Sequence, residues 1–226
     1  MYIIIYDFGT SSLKTCLFEI DTNIRLVASS SGSYGLYISD DGGAEQDTEE
    51  WWDTICSTTR DIIIASEVKP DEIEGMAFCS QMQGTVLVDE KGNALRRPMN
   101  YLDQKGVREY KECMGSGLVK VSGCNLYKLV RNLLVNYAGS TSAKDPIWKY
   151  KWVENNEPEV FDKVYKWLDI NDYLVARCTG RIIRTADSAF ATFQMKSRRF
   201  SKLRDFQIFS QSSKLDNQDK KSTVSG

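Results

Sequence analysis

The alternation of short apolar runs and polar turns near the N-terminus limits the fold more than any other feature. Residues 2–6 are a β-branched and aromatic run, typical of a central strand buried on both faces. A polar turn with one glycine occupies residues 7–12, and residues 13–20 and 25–31 have the composition of two more strands. Because short polar turns join them, these strands are predicted to form an antiparallel meander.

A helix and further strands are predicted after the meander. Asp47 or Thr48 can cap the helix, and residues 73–79 and 85–88 are predicted strands. The order strand, strand, strand, helix, strand indicates a ribonuclease-H-like α/β fold, with a mixed sheet flanked by helices, as in actin and the heat-shock chaperones. The apolar positions of the helix recur at spacings of three and four residues and are Trp52, Ile55, Thr59, Ile62 and Ile63.

The second half of the chain is predicted to be mostly helical. The clearest helices are residues 104–114, 147–156 and 171–178. Residues 201–226 contain few apolar side chains toward their end, which indicates a mobile tail or the incomplete end of a domain. Residues 1–200 are therefore predicted to be one domain.

Composition excludes several classes of function. With 29 basic and 31 acidic residues, mixed along the chain, nothing favours nucleic acid or an anionic membrane. The six cysteines show no CxxC spacing, and no leader is apparent, so we expect buried, reduced thiols and a cytoplasmic location. The chain has no His, so any catalysis must use carboxylates, hydroxyls, lysines or backbone amides.

The turn after the first strand has the residue types that bind a phosphate. A tight turn with Gly9, Thr10 and Ser11 offers backbone N–H groups and hydroxyls with little steric bulk. Asp7 can hold Mg²⁺ through water, and Lys14 can reach the same phosphates as a point charge. The segment is no Walker A loop, and a plain hairpin with a polar turn is the alternative interpretation.

Seven short segments, in order along the chain, resemble those of the FGGY family of carbohydrate kinases. Residues 5–14, I-Y-D-F-G-T-S-S-L-K, resemble the family's first phosphate hairpin, where D-x-G-T-[ST] follows the first strand. Residues 81–84, Q-M-Q-G, are similar to the Q-M-H-G of xylulokinase-like members, which lies at the sugar site. The resemblance depends on the shared order of the segments and covers residues 2 to about 195. The other segments are residues 45–52, 98–105, 157–161, 171–174 and 179–189.

The resemblance implies an ATP- and Mg²⁺-dependent sugar kinase, and it implies a role for individual residues. Gln83 stands where the family has His, Tyr101-Leu102 replaces Trp-Asn, and Lys105 replaces Arg, so the preferred sugar can differ from xylulose. The implied metal residue is Asp7, the phosphate-binding residues are Gly9, Thr10, Ser11 and Lys14, and the sugar-binding residues are Gln81, Met82, Gln83, Tyr101 and Asp103.

Part of the family's machinery is not found in these residues. The Gly-rich segment with the general-base Asp is expected beyond Gly226, and so is the C-terminal ATP-binding domain. We therefore expect an N-terminal sugar-binding domain that is inactive alone, with a homodimer left open. A non-catalytic sugar-binding or regulatory module is the main alternative, and an actin-like or chaperone-like ATPase is a third that the Q-M-x-G segment disfavours.

Some of these segments also have purely structural interpretations. Trp51 and Trp52 begin a helix, and packing explains them better than ligand binding. Asp187 and Ser188 can cap a helix instead of contacting a ligand. The charged positions 144, 145, 149 and 151 are predicted to form a solvated face rather than an ATP-binding surface.

Overall fold

The computed structural model describes residues 1–136, 142–185 and 188. Positions 186, 187 and 189 of the segment at 179–189 lie outside the described residues, as do residues 201–226. The strands are β1 (Tyr2–Phe8), β2 (Ser12–Ile20), β3 (Ile24–Ser33), β4 (Tyr37–Ile38), β5 (Ala44–Glu45), β6 (Ile73–Ser80), β7 (Val86–Val88), β8 (Lys120–Val121), β9 (Cys124–Asn125) and β10 (Lys166–Leu168). The helices are α1 (Thr48–Ser66), α2 (Val107–Met114), α3 (Leu126–Asn136), α4 (Pro146–Asn156), α5 (Pro158–Phe161) and α6 (Ile170–Thr179).

The main sheet confirms the predicted meander and the predicted fold class. Its strand order is β3-β2-β1-β6, with β1–β2 and β2–β3 antiparallel and β1–β6 parallel. The carboxyl ends of β1 and β6 therefore meet at one edge, with Phe8 opposite Ser80. Loops that follow these two strands are placed side by side.

The prediction that β1 is buried on both faces was wrong. Ile4, Tyr6 and Phe8 are buried on one face, whereas Ile3 and Ile5 are half-buried and Asp7 is exposed on the other. Helix α1 covers the buried face together with Tyr173 and Leu174 of α6. This asymmetry leaves the Asp7 carboxylate in contact with solvent at the sheet edge.

Helix α1 begins where the sequence predicts, because the Asp47 side chain accepts from the N–H of Glu49. Its predicted stripe is confirmed at Ile55 and Ile62, which are buried. Trp52, Thr59 and Ile63 are only half-buried, and the neighbouring residues Trp51, Thr54 and Thr58 are buried instead. The threonines face the sheet because Thr15 and Thr58 share a buried hydrogen bond of 2.7 Å. The packing role predicted for Trp51 and Trp52 is confirmed, with Trp51 fully buried.

A second core forms around α4, where Trp148, Tyr150 and Val153 are buried with Trp167 of β10. The prediction of a solvated face at positions 144–151 was wrong for two residues, since Lys149 and Asp145 are buried. Helix α2 begins at Val107 rather than residue 104, with Gly106 as its N-cap. A Cβ at Gly106 would lie 2.6 Å from the Trp148 carbonyl carbon.

Two other sequence expectations have mixed outcomes. Cys124 is buried, but Cys79 is exposed and the other four cysteines are half-buried, so the prediction of buried thiols was wrong for most of them. In the part of the chain that the structure describes, no helix has both the length and the apolar character needed to cross a membrane.

Candidate functional site

The β1–β2 hairpin forms a tight turn at the edge where β1 and β6 end. The Gly9 N–H donates to the Ser12 carbonyl at 2.9 Å, and Ser11 is exposed at the tip. The Tyr34 hydroxyl donates from below to the carbonyls of Gly9 at 2.6 Å and Ser12 at 3.0 Å. The turn is therefore held from the core side, and its outer side is left for a ligand.

Asp7 and Lys14 are placed opposite each other across the β1–β2 ladder. Both are exposed, and directly opposite residues of an antiparallel pair point to the same face. A carboxylate that remains in solvent fits a cation which keeps several of its waters, as Mg²⁺ does. Within the described residues, no three Cys, Asp or Glu side chains converge to form a metal site. Asp7 thus fits Mg²⁺ only as one member of a set completed by water or phosphate.

The loop at residues 81–84 follows β6 and lies beside the hairpin. The Gln81 N–H donates to the Phe8 carbonyl at 3.0 Å, and the Met82 side chain is 75% exposed. Gln83 has a φ of 62°, the left-handed conformation that non-glycine residues rarely adopt. Gly84 packs against Ile170 so closely that a Cβ would lie 2.4 Å from the isoleucine side chain. The loop is thus compressed against α6, with Met82 directed outward.

Residues 100–105 bring a second loop to the same place. The Tyr101 hydroxyl lies 3.2 Å from the Thr10 hydroxyl, although 91 positions separate the two residues. This contact joins a predicted sugar-binding residue to a predicted phosphate-binding residue. Tyr101 is partly exposed, and its ring can form a wall of an open cleft.

Asp103 lies deeper than its predicted sugar contact requires. It is buried, and its carboxylate accepts from the N–H groups of Ala44 at 2.9 Å and Lys105 at 3.1 Å. Burial raises the pKa of Asp103 above its usual value, while those two hydrogen bonds and nearby lysines oppose the shift. Asp103 therefore fixes the shape of its loop, and its sugar contact stays a prediction.

Gln46 links the hairpin to the loop at 81–84, and sequence analysis did not single it out. Its side-chain amide donates to the Thr10 carbonyl at 2.7 Å and accepts from the Gln81 amide at 2.7 Å. Gln46 is fully buried, so both bonds are shielded from water. The signal was present in the E-Q pair of residues 45–52, but only the fold shows what the glutamine contacts.

Lys149 is the other residue whose role sequence analysis misjudged. Its ammonium donates to the carbonyl of Gln83 at 2.9 Å and to the carbonyl of Asn100. Burial lowers the pKa of Lys149 to about 8, while Asp103, Asp145 and Asp169 oppose that shift. A buried lysine thus contacts the backbones of both loops that carry predicted sugar-binding residues.

Lys105, which replaces the family's Arg, faces away from the cleft. Its ammonium contacts Glu45, lies 4.0 Å from Asp103, and sits 4.5 Å from the centre of the Trp152 ring. Arg96 contacts the same Glu45 and the same Trp152. These charges support the loop at 100–105 from behind.

The structure brings most of the predicted site residues to one edge of the sheet. Thr10 and Tyr101 are in contact, and Gln81 reaches Thr10 through Gln46. Asp7 and Lys14 lie at the base of the same hairpin. Asp103 is the exception, because it is enclosed beneath its loop.

Comparison with known proteins identifies the family to which this arrangement belongs. Residues 2–206 match the model of the N-terminal domain of the FGGY family of carbohydrate kinases. The xylulose kinase of Bacillus subtilis (strain 168) is 30% identical over 181 residues, which cover 80% of this chain and 34% of that protein. The xylulose kinase of Staphylococcus xylosus is 28% identical over 203 residues, which cover 88% of this chain and 39% of that protein.

Solved structures support the same fold. A ligand-bound xylulose kinase from Lactobacillus acidophilus superimposes with a TM-score of 0.73 at 21% identity, covering 97% of this chain and 40% of that one. A glycerol kinase from Plasmodium falciparum with ADP gives a TM-score of 0.72 at 17% identity, covering 86% of this chain and 38% of that one. The chain thus spans little more than a third of the length of the relatives it matches. It belongs to the FGGY family of carbohydrate kinases and matches the N-terminal domain of that family.

Proposed function

We propose that this chain is the sugar-binding lobe of an ATP-dependent carbohydrate kinase that phosphorylates a ketopentose such as xylulose. The contact between the Thr10 and Tyr101 hydroxyls carries the proposal, because it joins the hairpin suited to phosphate with the loop suited to a sugar. A phosphoryl transfer needs its donor and acceptor held within a few ångströms of each other. The curated relatives named xylulose kinase support the choice of sugar.

The residues of this chain would supply positioning and hydrogen bonds. Thr10 and Ser11 would present N–H and hydroxyl donors at the hairpin, where Gly9 adds no steric bulk, and the exposed Lys14 adds a positive charge. Mg²⁺, with Asp7 as one anchor, would neutralise phosphate charge when MgATP is bound. The general-base Asp and the ATP-binding domain are expected beyond residue 226, so we propose that these residues alone do not catalyse transfer.

The sugar side of the site has both open and enclosed members. Met82 is exposed and Tyr101 is partly exposed, so both can contact a sugar directly. The Gln83 amide, which lies 3.5 Å from the Asp145 carboxylate, offers both a donor and an acceptor where the family has His. We propose that Gln83 reads one hydroxyl of the sugar and shifts the preference among ketoses.

The test is sugar-dependent release of ADP from MgATP, with D-xylulose leading a panel of ketoses, aldoses and polyols. It is run on this chain and on the longest product that its gene encodes. We expect activity in the longer protein only, with the best sugar naming the substrate. Sugar-dependent ADP release by these 226 residues alone would contradict the expected division of labour.

A non-catalytic sugar-binding or regulatory module is the second candidate, and Gln83 in place of His favours it. Isothermal titration of the same sugar panel separates the two. Binding with no ADP release from either protein would support the module. Absence of both binding and ADP release, with both proteins folded, would contradict both candidates. A homodimer and a cytoplasmic location stay predictions of the sequence.

A further inference from the structure

Lys149 is a charged side chain placed where charges are costly. It lies in the middle of α4 with a relative exposure of 0%, between the aromatic residues Trp148 and Tyr150. Lysine is almost never fully buried unless its ammonium is paired, because removing the charge from water is unfavourable. Its environment must therefore supply strong partners.

Two of those partners are backbone carbonyls that belong to different loops. The ammonium donates to Gln83, in the loop after β6, and to Asn100, at the start of the loop that carries Tyr101. These contacts span 66 and 49 positions of the chain. Hydrogen bonds from an ionised donor are about twice as strong as neutral ones. The two loops are also joined by backbone hydrogen bonds between Thr85 and Met99, and Lys149 adds a side-chain link beside that pair.

Three carboxylates also favour the charged ammonium through their negative charge, and each is anchored at a different point around the cleft. Asp103 holds the second half of the loop at 100–105, and Asp145 precedes α4. Asp169 caps α6 and receives a hydrogen bond from the N–H of Gly84. Lys144 is the cation that opposes them. The groups that bind the ammonium or favour its charge thus belong to both loops, to the segment before α4 and to the start of α6.

The backbone of Gln83 shows that its loop needs external support. A non-glycine residue at a φ of 62° is strained and persists only where its surroundings enforce it. Its carbonyl is one of the two groups that Lys149 binds. Gly84, which packs against Ile170 and donates to Asp169, supports the loop from one side, and the bond from Lys149 holds the Gln83 carbonyl itself.

We infer that Lys149 is a positioning residue of the sugar site, which fixes the carbonyls of Gln83 and Asn100 and thereby the relative placement of Met82, Gln83 and Tyr101. The inference rests on the proposed function for its consequence in sugar binding. Its structural part, the ordering of two loops by one ammonium, does not depend on that function.

The first test compares amide hydrogen exchange in the chain, in Lys149→Met and in Lys151→Met. Methionine keeps the length of lysine and loses the charge. Lys151 lies on the same helix, where it pairs with Glu154 in partial contact with solvent, and is the matched control. In Lys149→Met we expect peptides covering 81–85 and 100–105 to exchange about tenfold faster or more, with β1 and β2 within about twofold of the parent. Unchanged exchange in both loops, or equal acceleration everywhere, would overturn the inference.

The second test separates this inference from the proposed function. In the active longer protein, Lys149→Met is expected to raise the KM for the sugar by about tenfold while kcat changes by less than about threefold. Lys149→Gln, which restores a neutral donor, is expected to fall between the parent and Lys149→Met. Faster loop exchange without any sugar binding in the parent would count against the proposed function alone. An unchanged KM in an enzyme with disordered loops would overturn the positioning role.

A third measurement needs no variant and covers the case in which Lys149→Met fails to fold. In the chain labelled with ¹⁵N-lysine, at pH 6, the ammonium of Lys149 is expected to give an NMR signal that exchanges slowly with water. It should show cross-relaxation with the amide protons of Gly84 and Tyr101, which follow the two accepting carbonyls. Rapid exchange without these contacts would overturn the inference.

Discussion

Tyr34 shows how one side chain can hold a binding turn without touching a ligand. Its ring stacks on Phe8 and contacts Trp51, while its hydroxyl donates to the carbonyls of Gly9 and Ser12. Burial raises the pKa of Tyr34 far above the ordinary tyrosine value, so the hydroxyl keeps its proton at neutral and mildly alkaline pH. The hairpin therefore has a permanent donor beneath it.

Tyr34→Phe is expected to lower the free energy of unfolding by about 1–2 kcal/mol, because two partly buried carbonyls lose their side-chain donor. The measurement is urea unfolding followed by tryptophan fluorescence. Tyr127→Phe is the matched control, since Tyr127 is 69% exposed, and it should change the stability by less than about 0.5 kcal/mol. Equal effects of the two substitutions would contradict the role given to Tyr34.

Lys149 gives the stability of the chain a dependence on pH with a definite sign. In the folded chain its pKa is lowered to about 8, against an ordinary value of 10.5. Between these values the unfolded chain still holds the proton and the folded chain has lost it, so the contribution of Lys149 to the unfolding free energy rises with pH.

Urea unfolding of the chain and of Lys149→Met at pH 7 and pH 9.5 checks this sign. The parent is expected to gain stability relative to the variant at the higher pH, and the contributions of the other lysines cancel in the difference. A difference that stays flat, or that falls, would show that the ammonium is not desolvated as the structure indicates.

At the level of elements, α1 lies close to the sheet because β3 carries a glycine beneath it. A Cβ at Gly32 would lie 2.7 Å from the Thr54 methyl and 3.3 Å from the Thr58 methyl. Only a residue without a side chain lets the threonine face of the helix approach the strand at this distance. The helix register thus depends on one strand position.

Gly32→Ala is expected to destabilise the chain by about 1–3 kcal/mol through overpacking. Gly75→Ala is the control, because Gly75 lies in β6 and a Cβ there would meet nothing within 4 Å. Thermal or urea unfolding measures both. The double variant Gly32→Ala/Thr54→Ser, which removes the nearest methyl group, should recover part of the loss. A destabilisation by Gly75→Ala as large as that by Gly32→Ala would contradict the packing argument.

The same contact explains what could be predicted about α1 and what could not. Its start followed from Asp47, whose capping is a local property of the chain. Its buried face was predicted only in part, because the spacing of apolar residues favoured Trp52 and Ile63 over Thr54 and Thr58. Thr54 and Thr58 are buried because Gly32 of β3 leaves room for their methyl groups and Thr15 of β2 bonds the Thr58 hydroxyl. Both partners are distant from the helix in sequence.

The candidate site divides in the same way. The hairpin and the loop at 81–84 could be located from their residue types and from the family resemblance. The burial of Asp103 and Lys149 could not, because both depend on partners between about 40 and 70 positions away, such as Ala44 and Gln83. A charged residue is predicted to be exposed unless the fold supplies a group of opposite charge or a hydrogen-bond partner for it, and the sequence alone does not show those partners.

On the scale of the whole molecule, the described residues form two apolar cores with the site loops at their junction. One core includes the main sheet, α1 and α6, and the other surrounds α4 and Trp167. The turn before β8 lies outside both, and there the Leu118 side chain is fully exposed at 102%. Such a segment has few contacts to protect it from proteases.

Limited digestion with chymotrypsin is expected to cut after Leu118 before any other site in the described residues. Mass spectrometry of the earliest fragments identifies the bond. Leu118→Asp should abolish that cut without altering the rate of cleavage elsewhere. A first cut within the strands of the main sheet would contradict the assignment of the two cores.

The long span of the Thr10–Tyr101 contact has a consequence for how the site comes into existence. Closing a loop of 91 positions is entropically unfavourable, and contacts of this kind form late and slowly during folding. The hydrogen bond from Lys149 to Gln83 is a second long-range contact, between residues 66 positions apart. A chain emerging from the ribosome therefore has its β1–β2 hairpin long before α4 is made. The complete arrangement cannot exist in any partial chain that ends before residue 149.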